Sequence, residues 1–403
     1  MAKRVLIFTN HFYPEQFKIN EVVSWLISEG FRLHVVTGWP NYPEGKIYKG
    51  YGPFKKSFEK RGNLTIRRLP LFPRGNGSNS RLILNYLTFF ISTLIYTLHL
   101  IIFHKKYEKV LVHHTSPFFI SISAILYKIL RKSTAILWDL DLWPQTLEAV
   151  GIIKSRSILN SIETIVKIIY KNFDIILVGS NSFKNIVKNR VYHNRIYYFP
   201  NWAEKIIEEN KIVLKADIKL NKNALKIVFM GNIGTVQGLD ILCKVINQIN
   251  RENIQWVFIG EGRFKGKMMK LLSEEIKKRT VVFIPQQKLK LIPYWGSKAD
   301  FFYISLNNSK LFNQTVPAKL QGYMAMGKPI LGMIGGEGAS VLKKSNSGLV
   351  CDPGNINQLM KIVEKAINAN KKERDILGEN GRKFYNKNFS SHLRKKQLLK
   401  LFE

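Results

Sequence analysis

Asp139 and Asp141 lie two positions apart in Leu137-Trp138-Asp139-Leu140-Asp141-Leu142-Trp143-Pro144. On an extended segment residues at that spacing point the same way, so both carboxylates would face one ligand. Such a carboxylate orients or deprotonates a hydroxyl, and burial raises its pKa. The plainer alternative is an aspartate capping the next helix. His113 and His114 close the preceding apolar run, Val110–His114, at the same edge. An imidazole there reaches a sugar or phosphate oxygen, or serves packing alone.

The second half offers phosphate chemistry instead. Gly231-Asn232-Ile233-Gly234 follows the apolar run Lys226–Met230, Gly260-Glu261-Gly262 ends Trp256–Gly260, and Gly335-Gly336-Glu337-Gly338 follows Pro329–Met333. Glycines at such ends let backbone approach a ligand and present amides to a diphosphate. A single such turn is weak evidence; three at strand ends of one domain weigh more. The run Pro317-Ala318-Lys319-Leu320-Gln321-Gly322-Tyr323-Met324-Ala325-Met326-Gly327-Lys328-Pro329 reads as a helix from Pro317 to Gly327, then a strand. A helix N-terminus attracts phosphate, and Lys319 in its first turn would add a full charge although lysine is mildly unfavourable there. GxGxxG, Walker A and HExxH patterns are absent from the sequence.

These residues need elements to hold them. Strands are expected at Val5–Phe8, Leu33–Thr37, Val110–His114, Ala135–Leu140 and Ile175–Gly179. A second series covers Lys226–Met230, Trp256–Gly260, Val281–Ile284, Phe301–Ser305 and Pro329–Met333. Near-continuous apolar strands alternating with helical patterns predict parallel sheets covered on both faces. The fold class is therefore α/β, with two doubly wound Rossmann-like domains and a ligand cleft expected between them. The expected divisions are 1–202, a Lys-rich linker 203–223, a second domain 224–380, and a C-terminal segment 381–403.

Leu82–Phe103 carries 22 residues without a formal charge. As a helix it would be roughly 33 Å long, enough to cross a bilayer core. A strand of the same sheet follows within a few residues, however, and both flanks are basic: Arg74 and Arg81 before, Lys105 and Lys106 after. The preferred reading is a helix in the membrane interface, its flanking cations on anionic headgroups. Arg67, Arg68, Arg131 and Lys132 would extend that basic collar if they share its side. A true span and a buried core helix are the alternatives.

Lys+Arg number 63 and Asp+Glu 28, leaving +35. That balance predicts attraction to anionic lipid, diphosphate or nucleic acid, although abundant Lys, Ile and Asn also suit a codon bias without function. Cys243 and Cys351 match no metal spacing and read as reduced core residues. The apolar run Val5–Phe8 is too short for a signal-peptide core, so a cytoplasmic protein is expected.

Several blocks in order now carry a family likeness: Phe12-Tyr13-Pro14-Glu15, Thr37-Gly38-Trp39-Pro40-Asn41-Tyr42-Pro43 with Gly45-Lys46-Ile47, Asp141-Leu142-Trp143-Pro144, Gly231-Asn232-Ile233-Gly234 with Gln237-Gly238-Leu239, and Pro317–Pro329. Over nearly its whole length the chain resembles family-4 retaining glycosyltransferases of the bacterial O-antigen and capsule N-acetyl-L-fucosaminyl type (WbuB-like). The resemblance implies a GT-B fold, a UDP-sugar donor held mainly by the second domain, and no cofactor or metal. It implies a polyprenyl-diphosphate-sugar acceptor and a last helix crossing back to the first domain. Asp141, His114 and His113 become catalytic candidates; Glu15, Asn41 and Asp139 fall on the acceptor side. Gly231, Asn232, Gly234, Gly335, Gly336 and Glu337 fall on the donor side.

The departures matter as much. Family-4 enzymes often carry two glutamates seven residues apart; here Gln314 and Gly322 stand at those positions. The usual diphosphate-binding Arg and Lys align with Asn232 and Gln237. Gln314 retains the ability to bond sugar hydroxyls, and Lys319, then Arg263, become the expected diphosphate contacts. The expected protein is a glycosyltransferase on the inner face of the bacterial inner membrane, taking no nucleic acid. A UDP-sugar 2-epimerase shares the two-domain plan. A non-enzymatic lipid- or nucleic-acid-binding protein would use the charge alone and bind DNA with steep salt dependence.

Overall fold

The computed structural model describes residues 3–149 and 151–402. The chain forms two compact units, one reaching to Phe199 and taking in Gln397 onward, the other Pro200–Lys396.

The first unit is built on an eight-stranded sheet: β1 Arg4–Thr9, β2 Arg32–Gly38, β3 Phe58–Arg61, β4 Leu64–Leu69, β5 Lys109–His114, β6 Thr134–Asp139, β7 Ile175–Val178 and β8 Ile196–Tyr198. Their order is β3-β4-β2-β1-β5-β6-β7-β8. All pairs are parallel except β3 with β4. The second unit carries β9 Leu225–Met230, β10 Ile254–Ile259, β11 Val281–Ile284, β12 Phe301–Ser305, β13 Ile330–Met333 and β14 Gly348–Cys351. This sheet is wholly parallel, in the order β11-β10-β9-β12-β13-β14.

The apolar runs become strands because both faces are covered: Val5 to Phe8, Val110 to Val112 and Ile175 to Val178 are all buried. Every strand read from the sequence is present within a residue or two. In each sheet the order reverses direction beside the first strand, at β1/β5 and at β9/β12. A ligand crevice forms at the carboxyl ends of strands beside such a reversal.

Residues 203–223, expected as a linker, lie inside the second unit. Lys205–Glu209 is helical, the Tyr385 hydroxyl accepts from Ala203 N at 2.9 Å, and Glu208 takes hydrogen bonds from Tyr385 and Ser391. Charge and composition suggested a spacer; these ties hold its start to the second unit.

The apolar segment is a single helix, Asn79–Phe103, and it is not a core helix. Its inward residues are Asn85, Phe89, Thr93, Thr97 and Leu100, while Ile91 (53%), Ile95 (64%), Ile102 (68%) and Phe103 (72%) are exposed. The polarity of an ordinary surface helix is thereby reversed. Small polar residues sit inside because the helix packs on Ile120–Arg131, which buries Ser121, Ser123 and Ala124. Thr93 and Thr97 direct their hydroxyls to carbonyls of their own helix at 2.8 and 2.7 Å. The collar is smaller than expected. Arg68 is buried and paired with Glu59, and Arg131 donates to the carbonyls of Ile101 (2.7 Å) and His104 (2.9 Å), capping the helix end. Arg81, Lys105, Lys106 and Lys132 remain exposed.

Candidate active-site residues

In the first unit the strand ends at the β1/β5 reversal gather His11, His113, His114, Ser116 and Asp141. His114 Nδ1 donates to Asp139 Oδ1 at 2.6 Å, and the Tyr170 hydroxyl donates to Asp139 Oδ2 at 2.6 Å. A carboxylate only accepts, so His114 carries a proton on Nδ1, and in the neutral ring Nε2 is then the acceptor. That Nε2 is buried and has no partner among the described residues. The expectation that Asp139 faces ligand alongside Asp141 is corrected: β6 ends at Asp139, which is fully buried and committed to His114 and Tyr170. The period-two argument fails because the strand stops there.

Asp141 lies beyond the strand, partly exposed, and accepts from Ser116 Oγ at 2.9 Å; Trp143 Nε1 in turn donates to Ser116 Oγ at 2.9 Å. Burial of the carboxyl raises its pKa, opposed by His114, Ser116 and Arg74. A carboxylate of raised basicity beside an open edge suits a hydroxyl partner. His113 is held at 2.9 Å from Thr9 Oγ1, whose own proton goes to the His11 carbonyl at 2.8 Å. Burial lowers its pKa to about 3, so the ring stays neutral and serves mainly to fix the strand end.

Glu15 and Asn41, placed on the acceptor side, are committed to the loop there. Glu15 is buried; its Oε1 accepts the amides of Asn41 (2.9 Å) and Tyr42 (2.7 Å), and its Oε2 accepts from His11 Nδ1 at 2.8 Å. Asn41 donates to the Trp39 carbonyl at 2.9 Å and accepts from the Arg74 amide at 3.3 Å. Both shape the loop rather than offer free groups. His11 and Arg74 were not singled out as site residues by sequence, yet Arg74 Nη2 meets His11 Nε2 at 3.1 Å. Their 63-residue separation hides the pairing.

In the second unit Lys319 stands in the first turn of helix Ala318–Ala325, whose N-cap is Pro317. One turn on, Tyr323 shares its face. The Tyr323 hydroxyl accepts from Met230 N at 2.9 Å and donates to Met230 O at 3.1 Å, pinning the helix to the end of β9. Lys319 Nζ then lies 3.9 Å from the centre of the Phe229 ring. Burial lowers its pKa from 10.5 to about 7. Among the described residues it has no carboxylate partner.

The glycine turns serve this lysine differently from the sequence reading. A Cβ on Gly231 would meet Lys319 Cε at 2.7 Å, and φ there is +127°. Glycine makes room for the lysine. The amides of Gly231 and Gly234 are already engaged, with Ile259 O at 2.9 Å and Gln237 Oε1 at 3.0 Å, so neither is presented to a ligand. Asn232 and Arg263 are exposed in neighbouring turns, joined where Gly262 packs on Ile233 and Asn232. Gly335 caps helix Gly336–Lys344, and a Cβ on Gly336 would fall 1.8 Å from Asn313 O. Gln314 follows Asn313 at this contact, and Glu337 opens the helix. The first amides of such a helix have no intrahelical acceptor. A separate concavity of about 890 Å³, lined by Lys219, Gln255 and Arg279 among others, lies at the opposite, amino-terminal edge of β10 and β11 and touches none of these residues.

Comparison with known proteins now fits this geometry. Residues 210–384 match the family model described as glycosyl transferases group 1. The colanic acid biosynthesis glycosyl transferase WcaI of Escherichia coli K12 is 21% identical over 338 residues, 80% of this chain and 81% of that protein. The glycosyltransferase WbjE of Pseudomonas aeruginosa is 24% identical over 306 residues, 73% and 74% of the two chains. Among solved structures, Anabaena HepE in complex with UDP and glucose superposes with a TM-score of 0.68 at 9% identity, covering 100% of this chain and 99% of that one. The 2-epimerase alternative draws no support from these matches. Residues 210–384 of the second unit are thus similar to the glycosyl transferases group 1 family, and the chain is a glycosyltransferase with the two-sheet GT-B fold.

Proposed function

We propose that this glycosyltransferase moves a sugar, with retention, from a UDP-sugar onto a polyprenyl-diphosphate-linked sugar in surface-polysaccharide assembly at the cytoplasmic face of the inner membrane. The observation that carries the lipid acceptor is the helix Asn79–Phe103, which turns its isoleucines outward and its threonines inward. A reaction confined to soluble nucleotide-sugars gains nothing from that face. Exposed Arg81, Lys105, Lys106 and Lys132 supply charge for anionic headgroups. The names of WcaI and WbjE, and the UDP and glucose in the HepE structure, agree with a polysaccharide-building role and a UDP-sugar donor.

In this reading Lys319, the start of helix Ala318–Ala325 and the start of helix Gly336–Lys344 meet the donor diphosphate. As the glycosidic bond to that diphosphate breaks, negative charge grows on its oxygens, and fixed cations and helix dipoles stabilise it. Asp141 orients the attacking hydroxyl, and His114 Nε2 accepts from a sugar hydroxyl. Gln314 and Glu337 line the sugar end, with Arg263 at the nucleotide end. The diphosphate is neutralised by these groups without a metal. The finer donor assignment, UDP-N-acetyl-L-fucosamine, rests on family likeness alone.

The test is to incubate purified protein with a panel of UDP- and GDP-sugars and a short polyprenyl-diphosphate-N-acetylglucosamine, with and without EDTA, and to read lipid mass. A donor-dependent mass gain unaffected by EDTA is expected. No gain with any donor would overturn the reading, as would conversion of the nucleotide-sugar without lipid.

A further inference from the structure

We infer that Arg74 is an anion-binding residue of the first unit, held by Glu15 through His11, and that it takes the diphosphate of the acceptor. This rests on the lipid-linked acceptor proposed above.

The chain of bonds is directional. Glu15 Oε2 can only accept, so His11 carries its proton on Nδ1, 2.8 Å away. Arg74 can only donate, so His11 Nε2, 3.1 Å from Arg74 Nη2, must be the bare nitrogen. Asn10 Nδ2, a second donor, faces the same nitrogen at 3.4 Å. The His11 ring cannot turn freely, because it stacks on Phe17 at 4.4 Å between centroids and 7° between planes. Burial lowers the His11 pKa and keeps the ring neutral beside the arginine. Glu15 is fixed in turn by the Asn41 and Tyr42 amides. Glu15 and His11, four residues apart, thus hold the distant Arg74 in one hydrogen-bonded order.

What this order holds is a cation in no ion pair, which acts on the Asp141 carboxylate only through space. Arg74 makes no ion pair among the described residues, and its Nε is buried without a partner. Its guanidinium lies between the rings of Tyr42 (5.6 Å) and Tyr86 (5.8 Å). An arginine whose orientation is set by neutral groups keeps its full charge and planar fork for a phosphate.

The setting selects a diphosphate attached to both a sugar and a lipid. Tyr86 belongs to the outward-apolar helix, and Arg74 precedes that helix by five residues. Tyr86 is also next to Ser116 and Asp141, the carboxylate assigned to the acceptor hydroxyl. Arg74 is thus close to a ring of the apolar-faced helix and within electrostatic reach of Asp141. The donor's diphosphate offers no hydrocarbon tail for that surface.

Glu15→Gln is the discriminating variant. The glutamine carbonyl can keep both loop amides, but its NH2 then faces His11 Nδ1. Nδ1 must become the acceptor, which moves the proton to Nε2 and sets two donors against each other at Arg74. The loop stays closed while the arginine loses its anchor. Arg74→Gln removes the cation itself.

With wild-type transfer established, acceptor KM, kcat and donor Kd are measured for both variants, with thermal midpoints and the 15N imidazole shifts of His11. Arg74→Gln is expected to raise acceptor KM about ten- to hundredfold, leaving donor Kd within about twofold. Glu15→Gln is expected to raise acceptor KM about fivefold with a near-native midpoint and an exchanged His11 tautomer. Inorganic diphosphate should compete with acceptor in wild type and not in Arg74→Gln. An unchanged acceptor KM in Arg74→Gln overturns the inference, and a rise confined to donor Kd assigns the arginine to the other diphosphate and overturns it equally. An unexchanged tautomer in Glu15→Gln overturns the positioning chain. Failure of wild type to glycosylate any lipid would fall instead on the proposed function.

Discussion

Lys319 makes donor binding depend on pH in a way that can be worked out beforehand. Its pKa is lowered to about 7 by burial against Phe229 and the Gly231 turn. The diphosphate of a nucleotide-sugar stays fully ionised from pH 6 to 9, so the lysine is the titrating member of the pair. Only its protonated form attracts the ligand, and that form dominates below about pH 7. Donor Kd should therefore be flat near pH 6, about tenfold weaker at pH 8, and approach a hundredfold weaker by pH 9. Isothermal titration with a UDP-sugar across that range reads this directly. Lys319→Met should abolish the slope and bind at pH 6 at least tenfold more weakly than wild type. The same substitution should stabilise the apo fold. A lysine whose folded pKa lies below its unfolded value loses stability as pH falls from about 10.5 to about 7. Taken whole, that displacement is roughly 5 kcal/mol; the side chain is partly exposed, so about 1–2 kcal/mol is expected after screening. Thermal midpoints at pH 6 should rise in Lys319→Met. A Kd that does not change from pH 6 to 9, or equal slopes in the two proteins, would rule out Lys319 as the titrating diphosphate contact.

Other perturbations have distinct signatures. Gly231→Ala places a Cβ 2.7 Å from Lys319 Cε at φ +127° and should weaken UDP-sugar binding severalfold and lower the midpoint, whereas Gly50→Ala, also at positive φ (+85°) with nothing within 4 Å of its Cβ, should leave UDP-sugar binding unchanged in the same titration. Asp139→Asn removes the acceptor that fixes His114 Nδ1–H and should cut kcat about ten- to hundredfold and cost about 1–3 kcal/mol in urea unfolding, since the buried Tyr170 hydroxyl and the histidine both lose a charged partner. Replacing the exposed Ile91, Ile95 and Ile102 together by serine should leave the thermal midpoint nearly unchanged and reduce co-flotation with anionic vesicles at least tenfold; unchanged flotation would remove the membrane role of that helix.

Both sheets were legible because their strands are buried on two faces and read as apolar runs. The strands missed are the marginal ones. Phe58–Arg61 and Leu64–Leu69 carry charges, and Ile196–Tyr198 and Gly348–Cys351 are short edge strands. Missing Phe58–Arg61 had a consequence: Glu59 on that strand neutralises Arg68, so Arg68 was read as a surface cation when it is a buried one. Lys319 was legible from its place in a helix's first turn; its seat on Phe229 was not, because β9 lies some 90 residues earlier in the chain. The roles of Asp139, Glu15 and Asn41 turned on hydrogen-bond partners, which sequence spacing does not reveal. His11 and Arg74 acquire meaning only when β1 and the approach to the long helix are brought together.

The most direct test supplies one donor with two acceptors carrying the same sugar. One acceptor is the polyprenyl-diphosphate form in anionic vesicles; the other is a short alkyl glycoside without phosphate. Initial rates are compared at equal sugar concentration. Transfer to the lipid diphosphate is expected to be at least a hundredfold faster than to the glycoside. Equal rates would contradict it, since neither Arg74 nor the outward isoleucines would then have a ligand to recognise.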